Sequence, residues 1–133
     1  MNAPHDPNEP RPHDIAVQVR TQYLAEQSVP QQGRYAFAYT VTITNRGTLP
    51  ARLVARHWII TDAGDNTQEV RGLGVIGQHP HLAPGESFTY TSGTLLDTPT
   101  GLMHGSYQMV GDDGVEFDAP IPPFHLAAPN SLH

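Results

Sequence analysis

Three glycines with the spacing GxGxxG are the residues whose pattern points most directly to chemistry. They are Gly72, Gly74 and Gly77, and Arg71 stands immediately before them. In a dinucleotide-binding site such glycines permit a tight turn and a close approach of the backbone to a pyrophosphate, and the helix that follows contributes its positive N-terminus. Here Pro80 follows, which does not favour a helix. Two interpretations stay open: a glycine-rich connection or bulged strand crossing between sheets, or a nest of backbone N–H groups that binds phosphate or pyrophosphate with the help of Arg71.

Closely spaced histidines are the second source of chemistry. The chain has eight histidines, and one residue separates His79 from His81. Imidazole is a good ligand for zinc or cobalt, and alternate residues of a strand lie on one face. The sequence therefore allows a divalent-metal site at His79 and His81, joined by His57, His104 and His125 if the fold brings them near. The alternative is a set of surface or partly buried histidines without a metal.

No constellation of catalytic residues is recognisable in the sequence. The serines, at positions 28, 87, 92, 106 and 131, all lie outside a GxSxG motif. The absence of cysteine excludes disulfides, thiolate metal sites and thiol nucleophiles. Asp112 and Asp113 are paired carboxylates, but the glycines on both sides of them are typical of a hairpin tip. We therefore predict that the protein is not an enzyme and has no cofactor.

The elements that must position these residues are short strands. Alternation of apolar and polar side chains, which is typical of strands, recurs between clusters of Gly, Pro, Asn and Asp. Seven runs are recognisable, at residues 15–23, 35–44, 53–61, 67–71, 87–92, 102–110 and 115–126. No segment has ten or more residues of helical period. This pattern predicts an all-β fold, an immunoglobulin- or fibronectin-III-like antiparallel β-sandwich of about seven strands.

Particular residues support the sandwich. Trp58 stands where such folds place a core tryptophan on the third strand, and Gly105-Ser-Tyr107 resembles a motif whose tyrosine hydroxyl bonds back to a corner. If Trp58 points inward, Arg56 shares its face, so we expect Arg56 to have an edge position or a carboxylate partner. Pro120, Pro122 and Pro123 cannot donate to a ladder, so the second half of the last strand is expected at a sheet edge or beyond the sheet.

Length and composition set the outer limits of the fold and of its partners. The 133 residues suit one domain, which we place at residues 15–126 between a disordered tail of residues 1–14 and a flexible tail of residues 127–133. The formal charge of −6 argues against nucleic acid as a partner, since a phosphate-binding surface needs clustered cations. No apolar run is long enough to span a membrane, and no secretory signal precedes the domain, so we predict a cytoplasmic location.

Six segments of the chain together resemble a known bacterial family. They are residues 34–45, 56–62, 72–78, 88–93, 101–107 and 121–126. In this order they resemble the ApaG family over roughly residues 15–126. The resemblance implies the same sandwich fold, a gene context near a diadenosine-tetraphosphate hydrolase and an rRNA methyltransferase, and a link to cobalt resistance and magnesium efflux. It also implies an interaction role, as for related domains of eukaryotic F-box proteins, and no catalytic residue. In that family, the glycines that match Gly72, Gly74 and Gly77 have prompted a pyrophosphate-binding hypothesis.

These observations favour a non-enzymatic module that binds a protein partner or self-associates through a sheet face or edge. An open edge can accept a peptide strand or a second copy of the domain. Two alternatives remain: a binder of phosphate, pyrophosphate or a dinucleoside polyphosphate at residues 71–77, and a divalent-metal binder at His79 and His81. We expect neither nucleic acid nor a membrane as a partner.

Overall fold

A computed structural model describes residues 9–130 of the chain as two packed antiparallel sheets. The strands are β1 (Ile15–Tyr23), β2 (Tyr35–Asn45), β3 (Ala51–Asp62), β4 (Thr67–Leu73), β5 (His81–Leu82), β6 (Ser87–Leu96), β7 (Thr100–Gly111) and β8 (Glu116–Ala127). Two 3₁₀ turns, Ala25–Gln27 and Pro30–Gln32, connect β1 to β2. The predicted all-β sandwich is confirmed, and the seven predicted runs correspond to seven of the strands.

The order of the strands decides which edges are open. One sheet has the order β1-β2-β6, and the other has the order β4-β3-β7-β8, with β5 pairing beside one end of β3. On one side of the sandwich β1 packs against β8. Of the two predicted positions for the proline-bearing strand β8, the structure shows the sheet edge, and the register skips Pro122 and Pro123.

Strand β2 shows why this sequence folds as a sandwich. Its side chains alternate, so that Phe37, Val41 and Ile43 are at most 1% exposed in the core while its threonines lie on the outer face. The outer threonines form a hydroxyl ladder with β6, including the pairs Thr40–Thr91 at 2.8 Å and Thr42–Thr89 at 3.1 Å. Apolar burial therefore holds one face of the strand, and cross-strand hydrogen bonds tie its other face to β6.

Aromatic rings from both sheets meet around Trp58 in the core. The Trp58 ring, 2% exposed, makes edge contacts with Tyr39 at 5.3 Å and Phe124 at 5.8 Å between centroids. Its inward position is as predicted. Tyr107 is also buried, but its hydroxyl hydrogen-bonds to the hydroxyl of Tyr90 and not to a backbone corner, so that part of the prediction was wrong. Since Tyr107 points into the core from β7, the tyrosine of the opposite sheet is its partner.

Residues close to the two ends of the domain are bonded to it. The backbone N–H of Arg46 donates to the carbonyl of Asp14 at 2.8 Å, and the His13 ring pairs with the Asp113 carboxylate at 2.9 Å. The buried Ala128 donates its N–H to the carbonyl of Pro99 at 2.8 Å. Parts of the two segments predicted as tails thus join the domain, because backbone hydrogen bonds need no apolar side chain. Residues 1–8 and 131–133 of those segments lie outside the described residues.

Within residues 9–130, no helix is long and apolar enough to cross a bilayer.

Candidate functional site

The glycine motif forms the connection from β4 to β5. Val75 and Gln78 exchange backbone hydrogen bonds of 2.9 Å in both directions, which closes a two-residue turn at Ile76 and Gly77. Both turn residues have positive φ, at 43° and 76°, as a type I′ turn requires. Since β4 and β5 both pair with β3, the connection stays within one sheet and does not cross between sheets.

Several N–H groups of this connection already have partners inside it. The N–H of Gly74 donates to the carbonyl of Val54 at 2.9 Å, and those of Val75 and Gln78 donate to each other's carbonyls. Gly74 also has φ +63°, and a Cβ there would meet the carbonyl oxygen of Gln78. The element after the turn is the two-residue strand β5, so the geometry differs from that of a dinucleotide-binding loop, in which a helix follows.

Arg71, the cation that the sequence assigns to this motif, lies on the outer face of the sheet. Its side chain is 72% exposed, and its Nη2 is 3.7 Å from the carboxylate of Glu69. The cation that contacts the glycine motif is Arg56. Its Nη1 donates to the carbonyls of Leu73 at 3.0 Å and Gly74 at 2.8 Å.

Gly72 makes room for this arginine. A Cβ at Gly72 would come within 2.6 Å of the central carbon of the Arg56 guanidinium, so the guanidinium lies against the glycine backbone. The two residues are paired in the β3–β4 register, and both face the inside of the sandwich. Arg56 thus shares the inward face of Trp58, as expected. Its hydrogen-bond partners there are backbone carbonyls at the end of edge strand β4. Among residues 9–130 no carboxylate forms an ion pair with it.

Arg56 lines a cleft between the two sheets, on the side where β4 and β6 are the edge strands. The cleft has a volume of about 200 Å³. Its lining comes from both sheets: Tyr39, Arg56, Trp58, Ile60, Gln68, Val70, Ser92, Gly93, Thr94 and Met103. Of these side chains only Arg56 is charged. The sequence marked Arg56 as anomalous but could not show that a cleft of this kind surrounds it.

Two buried tyrosines near Arg56 are held in their neutral form. Burial raises the pKa of Tyr90 to about 12, although the hydrogen bond with Tyr107 and the charge of Arg56 lower it. Burial also raises the pKa of Tyr107, and the neighbouring Tyr90 raises it further. Arg56 thus gains no negative partner from these hydroxyls near neutral pH.

The histidines suggested as metal ligands have other contacts. Nδ1 of His79 is 3.1 Å from the carbonyl of Leu53, whereas Nε2 of His81 is 2.8 Å from a carboxylate oxygen of Asp112. In the part of the chain that the structure describes, no three His, Asp or Glu side chains are grouped so that they could hold a metal ion. The three further histidines, His57, His104 and His125, lie on β3, β7 and β8.

One ring nitrogen of His57 lacks a hydrogen-bond partner among residues 9–130, which the sequence did not reveal. Its Nε2 is buried without a hydrogen-bond partner, and the nearest carboxylate oxygen, of Glu69, is 3.6 Å away. His57 pairs with Arg71 across β3 and β4, so His57, Glu69 and Arg71 lie together on the outer face of the sheet.

The free edge of β6 is the second candidate surface. The backbone carbonyl of Glu86 points toward β2, where it accepts a hydrogen bond of 2.9 Å from the N–H of Asn45. Since backbone groups alternate in direction along a strand, those of residues 87, 89, 91, 93 and 95 point away from β2. These five residues are exposed, and among residues 9–130 no strand pairs with them on that side.

The fold places the chain in a broad class, that of the β-sandwich proteins. The chain is an all-β sandwich of three and five strands, with an architecture like that of fibronectin type III domains.

Comparison with known proteins then gives the family. A family model described as the ApaG domain (DUF525) matches residues 25–111. Protein ApaG of Pseudomonas aeruginosa PAO1 is 61% identical over 91% of this chain and 96% of its own length. Protein ApaG of Thiobacillus denitrificans is 58% identical over 94% of this chain and 98% of its own. A Bordetella pertussis crystal structure described as ApaA superposes with a TM-score of 0.89 at 54% identity, covering 92% of this chain and all of that one. The chain belongs to the ApaG family, as the sequence segments predicted.

Proposed function

We propose that this protein is a non-enzymatic interaction module that binds an extended segment of a partner protein along the free edge of β6. The observation that carries the proposal is the composition of that edge. Strand β6 is ten residues long, contains neither a charged residue nor a proline, and pairs with β2 without a register shift. A long, uncharged and regular edge is a ready template for an added strand.

The other edge strands carry features that block pairing, which makes β6 distinct. Strand β8 contains Pro120, Pro122 and Pro123 together with Glu116 and Asp118, and β1 packs against it. Strand β4 has seven residues and presents Glu69 and Arg71. Charges and prolines are common means by which proteins prevent edge-to-edge association. Strand β6 has none of them, although the chain as a whole carries a charge of −6.

The edge also predicts the chemistry of the partner. An added strand would receive backbone hydrogen bonds from residues 87 to 95 and would lie beside the side chains of Thr89 and Thr91. Affinity in this mode comes mainly from the main chain, and specificity comes from pockets for alternate side chains. We therefore expect an extended segment of high β-propensity from another protein, bound antiparallel or parallel to β6.

The test uses Thr91, whose N–H points away from β2. Thr91→Pro removes this donor while leaving the β2–β6 ladder, and Thr91→Val is the matched control, since both substitutions remove the hydroxyl that bonds Thr40. A displayed library of random twelve-residue peptides is selected on the wild-type protein. We expect selected peptides to bind with amide shifts at residues 87–95, and to bind Thr91→Pro at least about tenfold more weakly than Thr91→Val.

Two outcomes contradict the proposal. In the first, peptides are enriched but bind wild-type protein and Thr91→Pro equally, or shift amides elsewhere. In the second, no peptide is enriched. Sedimentation over a range of protein concentrations measures self-association. Reversible dimerisation that Thr91→Pro abolishes would show that the edge of β6 binds a second copy of this chain and not a segment of another protein.

The small-ligand and metal alternatives have less support. Arg71 is turned away from the glycine motif toward Glu69, and His79 and His81 contact different groups. The link to cobalt resistance and magnesium efflux that the family resemblance implies gains no support from the described side chains. Calorimetry with pyrophosphate, magnesium and cobalt tests these alternatives directly.

A further inference from the structure

We infer that the inter-sheet cleft is a binding site for a carboxylate, held by the guanidinium of Arg56. The cleft is the space of about 200 Å³ between β4 and β6 that Arg56 lines together with Trp58 and Ser92. A partly buried guanidinium without an anionic partner is costly, and an anion of the right shape relieves that cost.

The orientation of Arg56 leaves its carboxylate-binding edge available. Nη1 is occupied by the carbonyls of Leu73 and Gly74. Nε and Nη2 have no hydrogen-bond partner among residues 9–130, and Nη2 would be 2.6 Å from a Cβ at Gly72. Nε and Nη2 together form a planar fork that matches the two oxygens of a carboxylate. Carbonyl bonds on one side and the glycine backbone beneath hold that fork in place.

The charge of the cleft favours a carboxylate over a phosphate. Among the described residues that line the cleft only Arg56 is charged, so they offer one positive charge, which a carboxylate neutralises and a phosphate dianion exceeds. The buried tyrosines nearby stay protonated, since burial raises the pKa of both Tyr90 and Tyr107. They therefore do not supply the missing negative charge.

The remaining lining suits a short carbon chain attached to the carboxylate. Apolar groups come from Trp58, Ile60, Val70 and Met103, and polar groups come from Gln68, Ser92 and Thr94. The lining thus combines apolar walls with several polar groups that can orient a ligand, a combination found in small-ligand sites. The volume is that of a small acid or of one Glu or Asp side chain, and is too small for a nucleotide.

Two sources can supply this carboxylate. One is a free small acid. The other is an acidic side chain of a segment paired with β6, because Ser92, Gly93 and Thr94 of β6 line the same cleft and alternate side chains of an added strand would face it. The second source rests on the proposed function, whereas the first does not.

The test is a titration of ¹⁵N-labelled protein with sodium glutarate and sodium butyrate, against sodium chloride at equal ionic strength and against inorganic phosphate. We expect saturable shifts of the Arg56 Nε–H signal and of the amides of residues 72–74 and 92–94. Arg56→Gln should weaken binding at least about tenfold, and Arg56→Lys should weaken it too, because lysine lacks the planar fork. Arg71→Gln is the matched control, since it removes an arginine from the neighbouring strand without changing the cleft.

A second variant separates binding from folding. Ser92→Leu narrows the cleft without removing Arg56, and we expect it to abolish the glutarate shifts while the rest of the spectrum is retained. Equal binding by wild type, Arg56→Gln and Ser92→Leu would overturn the inference.

A further experiment uses pairs of β6-binding peptides. The two peptides of a pair carry Glu and Gln, respectively, at one position whose side chain would face the cleft. A Glu preference of about tenfold that Arg56→Gln removes identifies a protein side chain as the source, and shifts with free acids alone identify a small molecule. If no peptide binds β6, the proposed function fails and the free-acid titration still decides this inference. Absence of both free-acid binding and a Glu preference overturns it.

Discussion

The hydroxyl of Tyr90 on β6 hydrogen-bonds to the hydroxyl of Tyr107 on β7, and this bond joins the two sheets through the core. Tyr90 is 5% exposed and Tyr107 is fully buried. Each hydroxyl thus gives the other a partner that water cannot supply at this depth. The pair lies near Arg56, whose charge lowers the pKa of both tyrosines against the larger effect of burial.

Removing one hydroxyl of this pair should destabilise the fold. Tyr90→Phe leaves the Tyr107 hydroxyl buried without a partner, and we expect a loss of about 1–3 kcal/mol in the free energy of unfolding. The double variant Tyr90→Phe with Tyr107→Phe leaves no polar group behind, so its loss should be smaller than the sum of the two single losses. Urea denaturation of the four proteins gives the coupling, and strict additivity would contradict it.

The same tyrosines predict the alkaline limit of stability. Their pKa values in the folded state are raised above the unfolded value of about 10, so the unfolded state loses protons first as the pH rises. Stability should be unaffected by these groups below about pH 10 and should fall between about pH 10 and pH 12, by about 1.4 kcal/mol per pH unit for each of the two tyrosines. The melting temperature and the absorbance of tyrosinate measure this. Ionisation of all five tyrosines without unfolding would contradict it.

Loss of the side-chain amide nitrogen of Asn45 should lower the free energy of unfolding. It is 1% exposed, and its Nδ2 donates to the carbonyls of Leu49 and Leu82, both at 2.9 Å. Asn45→Asp directs a carboxylate at these two carbonyls, and we expect a loss of roughly 2–4 kcal/mol at neutral pH. Because protonation of the new carboxyl restores one donor, the loss should shrink on acidification. Thermal unfolding of the wild type and of Asn45→Asp at neutral and acidic pH measures this, and a loss that grows on acidification would contradict the prediction. Asn45→Ala is the control without a charge.

The glycines of the β4–β5 connection should differ in cost when replaced. Gly77 has open space around the position of a Cβ, so Gly77→Ala carries only the left-handed backbone cost of about 1–2 kcal/mol. At Gly74 the same backbone cost applies, and the new Cβ also meets the carbonyl of Gln78. We therefore expect Gly74→Ala to lower the free energy of unfolding by at least about 1 kcal/mol more than Gly77→Ala. Chemical denaturation of the two variants compares them, and equal losses would show that the turn relaxes freely.

The strand pattern was predictable because it depends on local alternation. Strand β2 was predicted to within one residue of its observed range, since apolar and threonine side chains alternate along it. Strand β6 was predicted only as far as Ser92, and extends to Leu96. Beyond Ser92 the strand continues as Gly93-Thr-Leu-Leu96, in which apolar and polar side chains do not alternate, and pairing with β2 makes it a strand.

The sequence by itself determined the class of fold, the inward position of Trp58 and the placing of the prolines of β8. These follow from side-chain alternation and from the lack of an N–H in proline. The tertiary structure alone decided that Arg56, and not Arg71, contacts the glycine motif, and that β6 lies at a sheet edge. Both depend on which strands become neighbours, and a cross-strand register between residues distant in the chain leaves no local mark in either strand.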